Sequence, residues 1–246
     1  MTPPRAGQRA IVVLVATLLA VAATANLGAW QLRRAGQKIA LEAAFEARQA
    51  LPPLATSALA RTATEADAQH HRLVHLRGRW LPQFNVFLDN RPMDARVGFY
   101  LVTPLQLEGR DDAVLVQRGW VPRDARDRTA LPAVRSAEGE VEIDARIAPP
   151  PARLYQLGAA VPGPIRQNLE LESFAAETGL RLAPLSVQQT DSPASRGDGL
   201  TRHWPRPAVD VQKHYGYAFQ WLALCALLTG LYVWFQLVRP RLRRSG

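Results

Sequence analysis

The pattern of apolar and polar residues shows two long uncharged runs, one near each end of the chain. Residues 10–32 form the first run and residues 215–238 form the second. Each is long enough to cross the hydrocarbon core of a membrane as a helix, which takes about 20 apolar residues. The second run starts directly after Lys213 and His214 and is followed by an arginine-rich tail. The pattern therefore predicts a domain held between two transmembrane helices.

The residues that follow the first run keep a helical pattern. Apolar side chains recur among charged ones between Ile39 and Phe45, and Pro52 and Pro53 end the pattern. The polar stretch 55–69 is interpreted as a loop or a continued weak helix.

Short apolar runs separated by turn residues fill the middle of the chain and predict a β-rich domain. Gly119, beside Trp120, predicts a bulge or a close backbone approach, and Gly179 is expected to end a short helix at 169–178. The predicted fold class is a membrane-anchored α+β protein in which two transmembrane helices flank one small, mainly β domain, a partly closed barrel or a sandwich. The predicted strands are residues 72–80, 85–88, 98–104, 113–120, 140–148 and 182–190, with turns at 89–92, 108–109 and 138–139.

The charge distribution separates the tails from the middle domain. The chain has 30 Lys and Arg against 21 Asp and Glu, a net charge of +9 that would suit nucleic acid. Residues 33–213, however, hold 24 of the basic residues and all 21 acidic ones, so most of the excess lies outside the two runs. Because Arg and Lys beside a span are retained in the cytoplasm, both termini are predicted to be cytoplasmic, and no nucleic-acid partner is expected.

This orientation divides the chain into seven segments. The first span starts too close to the first residue for an organellar transit peptide, which favours a bacterial inner membrane. The segments are a cytoplasmic tail (1–9), transmembrane helix 1 (10–32), a juxtamembrane helix and loop (33–70), a β-rich periplasmic domain (71–191), a linker back to the membrane (192–214), transmembrane helix 2 (215–238) and a basic cytoplasmic tail (239–246).

The first span has an alternative interpretation as a cleavable signal peptide. Arg5 and Arg9, the apolar run after them and the small residues at 23–25 fit such a peptide. The uncharged run continues past residue 25 to Trp30, whose ring would suit the membrane interface, and this favours a retained helix. The only cysteine, Cys225, lies in the second span, which excludes a disulfide framework.

No constellation in the sequence supports catalysis. His70, His71 and His75 form the one histidine cluster, but no cysteine or carboxylate cluster completes a metal site, so a solvated polar edge is the preferred interpretation. Motifs of nucleophile elbows, phosphate loops and zinc proteases are absent. The sequence therefore predicts a protein without enzymatic activity.

The remaining candidate is His214, an ionisable residue at the mouth of the second span, where it is costly without a partner. Helical spacing places Tyr217, Ala218, Trp221 and Cys225 on roughly the face below it. An imidazole above small and aromatic residues suits a flat apolar ligand that carries iron. The alternative is an interfacial histidine within an aromatic belt.

The end of the first span is expected at the same membrane depth as His214. Trp30 and Gln31 end the first span where His214 starts the second, so two helices alone are able to hold a ligand between them. Four basic residues are candidates to pair with acidic groups on that ligand, or are alternatively snorkelling interfacial charges: Arg33, Arg34, Arg202 and Lys213.

Through an ordered set of motifs from residue 27 to residue 221, the chain resembles the surfeit locus protein one family, bacterial type. The members of this family are assembly factors for haem-copper cytochrome c oxidase. The motifs are Leu27-Gly28-Ala29-Trp30-Gln31-Leu32-x-Arg34, Gly78-x-Trp80, Leu88-Asp89-Asn90-Arg91, Gly98-x-Tyr100, Thr103-Pro104-Leu105, Val114-Leu115-Val116-Gln117-Arg118-Gly119-Trp120-Val121-Pro122 and Lys213-His214-Tyr215-Gly216-Tyr217-Ala218-x-Gln220-Trp221.

The resemblance implies a cofactor, partners and two possible functions. In that family the histidine that opens the second helix and the tryptophan of the first are implicated in binding haem a. Here these are His214, as the iron ligand, and Trp30, with Trp221 and Tyr217 as further candidate contacts. The implied partners are subunit I of cytochrome c oxidase, the enzymes of haem a synthesis and the lipid bilayer.

The first possible function is a carrier that delivers haem a into subunit I or stabilises it there. The second is a membrane-tethered scaffold that stabilises an oxidase assembly intermediate without binding haem itself. A periplasmic enzyme with a signal anchor is a weaker third interpretation, since the sequence offers no catalytic constellation for it.

Overall fold

The computed structural model describes residues 6–124, 126–127, 129–155, 163–195, 197–206 and 210–243. Parts of the predicted tails and of the predicted linker, including Arg5 and residues 207–209, lie outside the described residues. The chain divides into two compact units. The first, here called the helix pair, comprises Met1–Ala44 and Arg206–Gly246; the second, here called the barrel domain, is Phe45–Pro205.

The described residues form five α-helices and eight strands. The helices are α1 (Ala6–Gln49), α2 (Ala63–Gln69), α3 (Leu171–Thr178), α4 (Val211–Tyr232) and α5 (Arg239–Leu242), with a π-helical turn at Val233–Val238 between the last two. The strands are β1 (Leu54–Ala55), β2 (Leu73–Trp80), β3 (Val86–Met93), β4 (Arg96–Leu107), β5 (Ala113–Pro122), β6 (Glu140–Ala148), β7 (Ile165–Arg166) and β8 (Leu182–Gln189).

The helix pair confirms the prediction of a long apolar helix at each end of the protein. By length and composition, the helical stretches Gly7–Gln49 and Val211–Leu242 are both able to cross a membrane. The helical pattern predicted after residue 32 is part of α1, which runs without a break from the first apolar run to Gln49. Pro52 and Pro53 follow that end, because proline cannot continue a helix.

The strands of the barrel domain close on themselves. They pair in the order β2–β6–β8–β5–β4, and β4 pairs again with β2, so these five strands form a ring. All pairs in the ring are antiparallel except β5 with β8. A Cβ atom on Gly78 of β2 would overlap the carbonyl oxygen of Gln106 on β4, so glycine allows the closing strands to meet. This confirms the predicted fold class in its barrel form.

Alternation of side chains builds the barrel core. Along β2, Val74, Leu76 and Trp80 are buried while Arg77 and Arg79 point to solvent, which is the period of two expected for a strand with one buried face. Each predicted strand is confirmed, and β6 begins and ends as predicted. The polar stretch 55–69 is more structured than expected, since α2 starts with a capping box between Thr62 and Glu65.

The turn predicted at residues 89–92 is wrong. Those residues lie inside β3, where a register shift between Leu88 and Arg91 marks a bulge and Asn90 takes a φ of 60°. The chain reverses instead at Asp94 and Ala95, both with positive φ, between the paired residues Met93 and Arg96. Two central residues of positive φ are typical of the tight turn whose twist matches a hairpin.

The prediction for Gly119 is confirmed. The pairing of β4 with β5 shifts register beside it, and a Cβ at Gly119 would lie 2.7 Å from the Leu200 Cβ and 3.0 Å from the Thr201 oxygen. Thr201 exchanges two backbone hydrogen bonds with Trp120, of 2.7 and 2.8 Å. The segment predicted as a linker therefore packs on the barrel domain in part, and Trp204 beyond this bridge is also buried.

Candidate functional site

The helix pair packs along a seam of small residues that recur every three or four positions. On α1 the covered positions include Val21, Thr24, Gly28, Gln31 and Ala35; on α4 they include His214, Ala218, Trp221 and Cys225. A spacing that alternates between three and four residues keeps one stripe of each helix against the other, as in coiled coils. Small residues on such a stripe let two backbones approach closely, which is how helices associate in membranes.

Three contacts fix the direction of the two helices. Gln31 meets His214, a Cβ on Gly28 would lie 2.9 Å from Leu222, and the Cys225 sulfur lies 3.7 Å from the Val21 carbonyl oxygen. The residue numbers of these contacts decrease along α1 while they increase along α4, so the two helices are antiparallel. The prediction that the end of the first apolar run and the start of the second lie at one level is confirmed by the contact of Gln31 with His214.

His214 is half-buried, and one of its ring nitrogens is held by the neighbouring helix. Its Nδ1 lies 2.7 Å from Oε1 of Gln31. Because a carbonyl oxygen only accepts, this contact is a hydrogen bond in the tautomer that carries its proton on Nδ1, with Nδ1–H as donor and Oε1 of Gln31 as acceptor. Nε2 then presents a lone pair in the neutral ring, and it has no hydrogen-bond partner among the residues that the structure describes. A ring fixed through one nitrogen, with the other open, is the arrangement of a metal-ligating histidine.

Trp30 and Tyr217 lie outside the covered stripe of their helices. Gly28 meets Leu222 in the seam, and at 100° per residue Trp30 on α1 and Tyr217 on α4 each fall away from the centre of the stripe. Their side chains are exposed, at 49% for Trp30 and 52% for Tyr217. The helix pair thus has two exposed aromatic rings outside its covered stripe.

The other predicted site residues separate into two groups. Ala218 is buried in the seam, and Trp221 and Cys225 are half-buried below His214, as their spacing predicted. Tyr217 is not part of that covered stripe, which corrects the prediction that it shares one face with them. The covered stripe of α4 therefore contains three of the four residues that the helical spacing placed below His214.

The basic residues proposed as ligand partners are mostly engaged elsewhere. The Lys213 ammonium lies 2.9 Å from the Asp210 carboxylate, and Arg34 donates to Gln37 at 3.2 Å. The prediction for Arg202 is wrong, because its side chain is buried in the barrel domain against Asp198.

The histidine cluster does not build a metal site in the described part of the chain. His75 lies between two carboxylates on β6, 2.9 Å from Asp144 and 3.5 Å from Glu142, at the exposed face of the sheet. His71 packs on the Phe45 ring, and burial lowers its pKa. No group of three or more histidine, cysteine or carboxylate side chains suited to a metal ion occurs among the described residues.

Sequence reasoning missed the role of Gln31. It placed Gln31 at the level of His214 but gave its amide no function. A signal was present in the seven-residue spacing of small residues, which aligns Gly28 and Ala35 on α1 with the stripe that contains Gln31. The same spacing on α4 contains His214, so aligning the two stripes would have paired these two polar residues.

The family profile of the SURF1 family matches residues 18–226, from the first apolar helix to the second. The chain belongs to the SURF1 family. A SURF1-like protein of Drosophila melanogaster is 28% identical over 241 residues, covering 92% of this chain and 77% of that protein. A SURF1-like protein of Rickettsia bellii is 24% identical, covering 84% and 83% of the two chains.

A shorter match extends to yeast. The cytochrome oxidase assembly protein SHY1 of Saccharomyces cerevisiae is 30% identical over 98 residues, which is 40% of this chain and 25% of that protein. The family and the two apolar helices together indicate a membrane protein.

Proposed function

We propose that this protein is a membrane-bound assembly factor for cytochrome oxidase that binds haem a through His214. Membership of the SURF1 family and the similarity to a yeast protein named for cytochrome oxidase assembly support the assembly role. The observation that supports haem binding is the hydrogen bond from Nδ1 of His214 to Gln31, which leaves Nε2 as a free lone pair. Imidazole nitrogen is a common axial ligand of haem iron.

The residues around His214 fit a flat, largely apolar cargo. Nε2 of His214 would hold the iron, and Trp30 and Tyr217 offer exposed rings near the ends of the two apolar runs. Trp221 lies lower in the stripe that contains His214 and would contact the ligand with its half-buried ring. Haem is cargo in this proposal: the protein orients it, shields it from water and passes it to subunit I, after receiving it from the enzymes of haem a synthesis.

We also propose that the protein lies in a bacterial inner membrane, with the barrel domain in the periplasm and both tails in the cytoplasm. Arg239 and Arg241 follow the second apolar helix, where basic residues are retained in the cytoplasm. The seam supports a retained first helix, because Val21 and Thr24 lie before the candidate cleavage site after residue 25 and belong to the covered stripe.

Topology is tested by reporter fusions. Alkaline phosphatase, which is active only in the periplasm, should be active when fused at residue 190 and inactive when fused at residue 246. N-terminal sequencing of the mature protein should find a start before residue 25. The opposite fusion pattern contradicts the orientation, and a start at residue 26 identifies the first helix as a signal peptide.

Haem binding is tested by changing both members of the hydrogen bond. Each variant is expressed with the haem a synthesis enzymes, purified in detergent, and measured for bound haem per protein from its absorption spectrum. His214→Ala should lose haem while keeping wild-type protein abundance, because the side chain is half-buried and polar. Gln31→Leu should weaken haem affinity by roughly 10–100-fold, the usual effect of losing a partner that orients a ligating histidine.

His203→Ala is the matched control for this experiment. His203 also pairs with a neighbouring side chain, 2.8 Å from Asp94, but it lies in the barrel domain. This variant should keep wild-type haem content. If His214→Ala retains wild-type haem and supports normal oxidase assembly, the carrier proposal fails and the membrane-tethered scaffold takes its place.

A further inference from the structure

Arg118 is a buried cation with no acidic partner. It lies on β5, its residue is 3% exposed, and its guanidinium carbon stacks 4.6 Å from the centre of the Trp80 ring. It donates to the Ser136 hydroxyl at 2.6 Å and to the Arg135 carbonyl at 3.0 Å, both uncharged acceptors. Its Nε has no partner, and no carboxylate among the described residues lies within ion-pair distance. Burying an unpaired charge is costly, so this arrangement calls for a compensating group.

The acidic residues nearby are committed to other cations. Asp198 pairs with the buried Arg202, whose side chain is 2% exposed. Glu142 pairs with Arg77 and lies 3.5 Å from His75. Each of these two carboxylates has a cation of its own, and neither makes an ion pair with Arg118.

The pKa of Arg118 reflects the cost of its burial. The pKa of Arg118 is lowered to about 10, mainly because burial disfavours its charged form. The charge of Asp198 acts in the opposite direction, and the charge of Arg202 lowers the pKa further. The desolvation of the guanidinium therefore exceeds the compensation that the barrel domain itself provides.

A cavity of about 200 Å³ opens beside this residue. Its wall includes Arg135 and Gln189 besides Arg118. Arg135 is exposed and has no ion pair among the described residues. The Gln189 side chain accepts from Arg202 with its oxygen, so its NH₂ group takes no part in that bond. The lining residues that matter are Trp80, Arg118, Arg135, Gln189 and two carboxylates, Glu142 and Asp198, each of which is paired with another cation.

We propose that this cavity binds a small oxyanion, a carboxylate or a phosphate group, between Arg118 and Arg135. A guanidinium presents a planar fork of N–H donors that matches the paired oxygens of both groups. Trp80 occupies the flat face of the Arg118 guanidinium, so the edge carrying the N–H groups is the part that can receive a ligand. The volume admits the head group of a metabolite or a single acidic side chain, and excludes a macrocycle.

The test measures anion binding to the full-length protein in detergent. Inorganic phosphate and acetate are titrated separately against chloride at constant ionic strength, and the unfolding midpoint of the barrel domain is followed by tryptophan fluorescence. A ligand that binds only the folded state raises this midpoint in a saturable way. We expect such a rise for at least one of the two anions. The anion that binds more tightly indicates whether the natural ligand carries a phosphate or a carboxylate group.

Two variants in the cavity and one outside it show whether the anions act at this cavity. Arg118→Met and Arg135→Gln should each weaken the apparent anion affinity roughly tenfold to a hundredfold, the loss expected for a charged hydrogen-bond donor. Arg79→Met removes the same charge from an exposed position of β2 and should bind like wild type. Arg135 is exposed, so its variant decides the question even if Arg118→Met does not fold.

The proposal is overturned if neither anion raises the midpoint beyond chloride. It is also overturned if Arg135→Gln and any folded Arg118 variant respond like wild type. Arg118 would then be a structural cation held by Trp80, Ser136 and the Arg135 carbonyl without a ligand.

Discussion

The helix pair and the barrel domain bury their side chains in different ways. The barrel domain encloses large apolar residues such as Phe99, Leu101 and Leu185, each with no exposed surface. The residues most buried in the helix pair are small, such as Ala35 and Ala218. Most large apolar side chains of the helix pair point outward, which costs nothing where the surroundings are lipid.

This difference separates stability from ligand binding. A core of large side chains determines its own shape, so the barrel domain holds its fold through close packing. The geometry of the helix pair depends on a few small residues and on polar contacts such as the one between Gln31 and His214. Substitutions in the two units should therefore fail in different ways, the first by loss of protein and the second by loss of ligand.

The largest effect is expected for Trp120→Ala in the barrel domain. The Trp120 ring is 4% exposed, donates to the Arg91 carbonyl at 2.8 Å and lies under the Arg96 guanidinium at 5.6 Å. Removing it leaves a cavity and an unpaired carbonyl, and should cost about 3–5 kcal/mol. The measurement is the unfolding midpoint in denaturant, together with protein abundance in the membrane.

Trp234→Ala is the matched control in the helix pair. Its side chain is 51% exposed, so the same truncation there should leave the midpoint of the barrel domain unchanged. Full abundance of Trp120→Ala with lost function would contradict the comparison, because it would identify this strand as a docking surface instead of core.

A smaller effect is expected for Gly28→Leu in the helix pair. Even a Cβ at Gly28 would lie 2.9 Å from the Leu222 side chain, so a leucine forces the helices apart. Such overpacking costs about 1–3 kcal/mol and should pull Gln31 away from His214. Bound haem per protein should fall, while the unfolding midpoint of the barrel domain stays at the wild-type value.

Gly36→Leu is the control on the same helix. A Cβ at Gly36 meets nothing within 4 Å, so the substitution adds the same side chain to open space. Wild-type haem content in Gly28→Leu, or an equal loss in Gly36→Leu, would show that the seam does not position His214.

The strands were predictable because their signal is local. Alternation along β2 and β6 needs only neighbouring residues, and the structure confirms both. The hairpin turn at Asp94 and Ala95 was missed because alanine gives no composition signal for a positive φ; the pairing of the flanking strands imposes it. Closure of the ring was not predictable in detail, since β2 and β4 pair across distant parts of the chain.

In the candidate site too, the features with a local signal were predicted and those that depend on packing were missed. His214 was predicted because an ionisable residue at the mouth of an apolar helix is unusual by itself. Its partner Gln31 lies 183 positions earlier, and only the packing of two helices brings them together. The burial of Arg202 was missed for the same reason, because its residue type and its Pro- and Gly-rich surroundings suggested a solvated linker.

The smallest effect is expected at the surface of the barrel domain, for Glu177→Gln on α3. Arg166 donates to the Glu177 carboxylate at 2.6 Å and thereby lowers the Glu177 pKa from its ordinary value of 4.5. A carboxylate with a lowered pKa in the folded state adds stability above pH 4.5, and this stability is lost as the pH falls through the lower folded value. For an exposed pair the loss at pH 7 should be about 0.2–1 kcal/mol, measured by denaturant unfolding.

The same measurement at lower pH sharpens the comparison between core and surface. The difference between wild type and Glu177→Gln should shrink below pH 4.5 and vanish once the wild-type carboxylate is protonated, whereas the cost of Trp120→Ala should persist because no proton is involved. Glu108→Gln removes an exposed carboxylate from a turn of the barrel domain without breaking this pair, and should match wild type at both pH values. A Glu177→Gln difference that stays constant down to pH 3 would mean that the carboxylate contributes through packing and not through its charge.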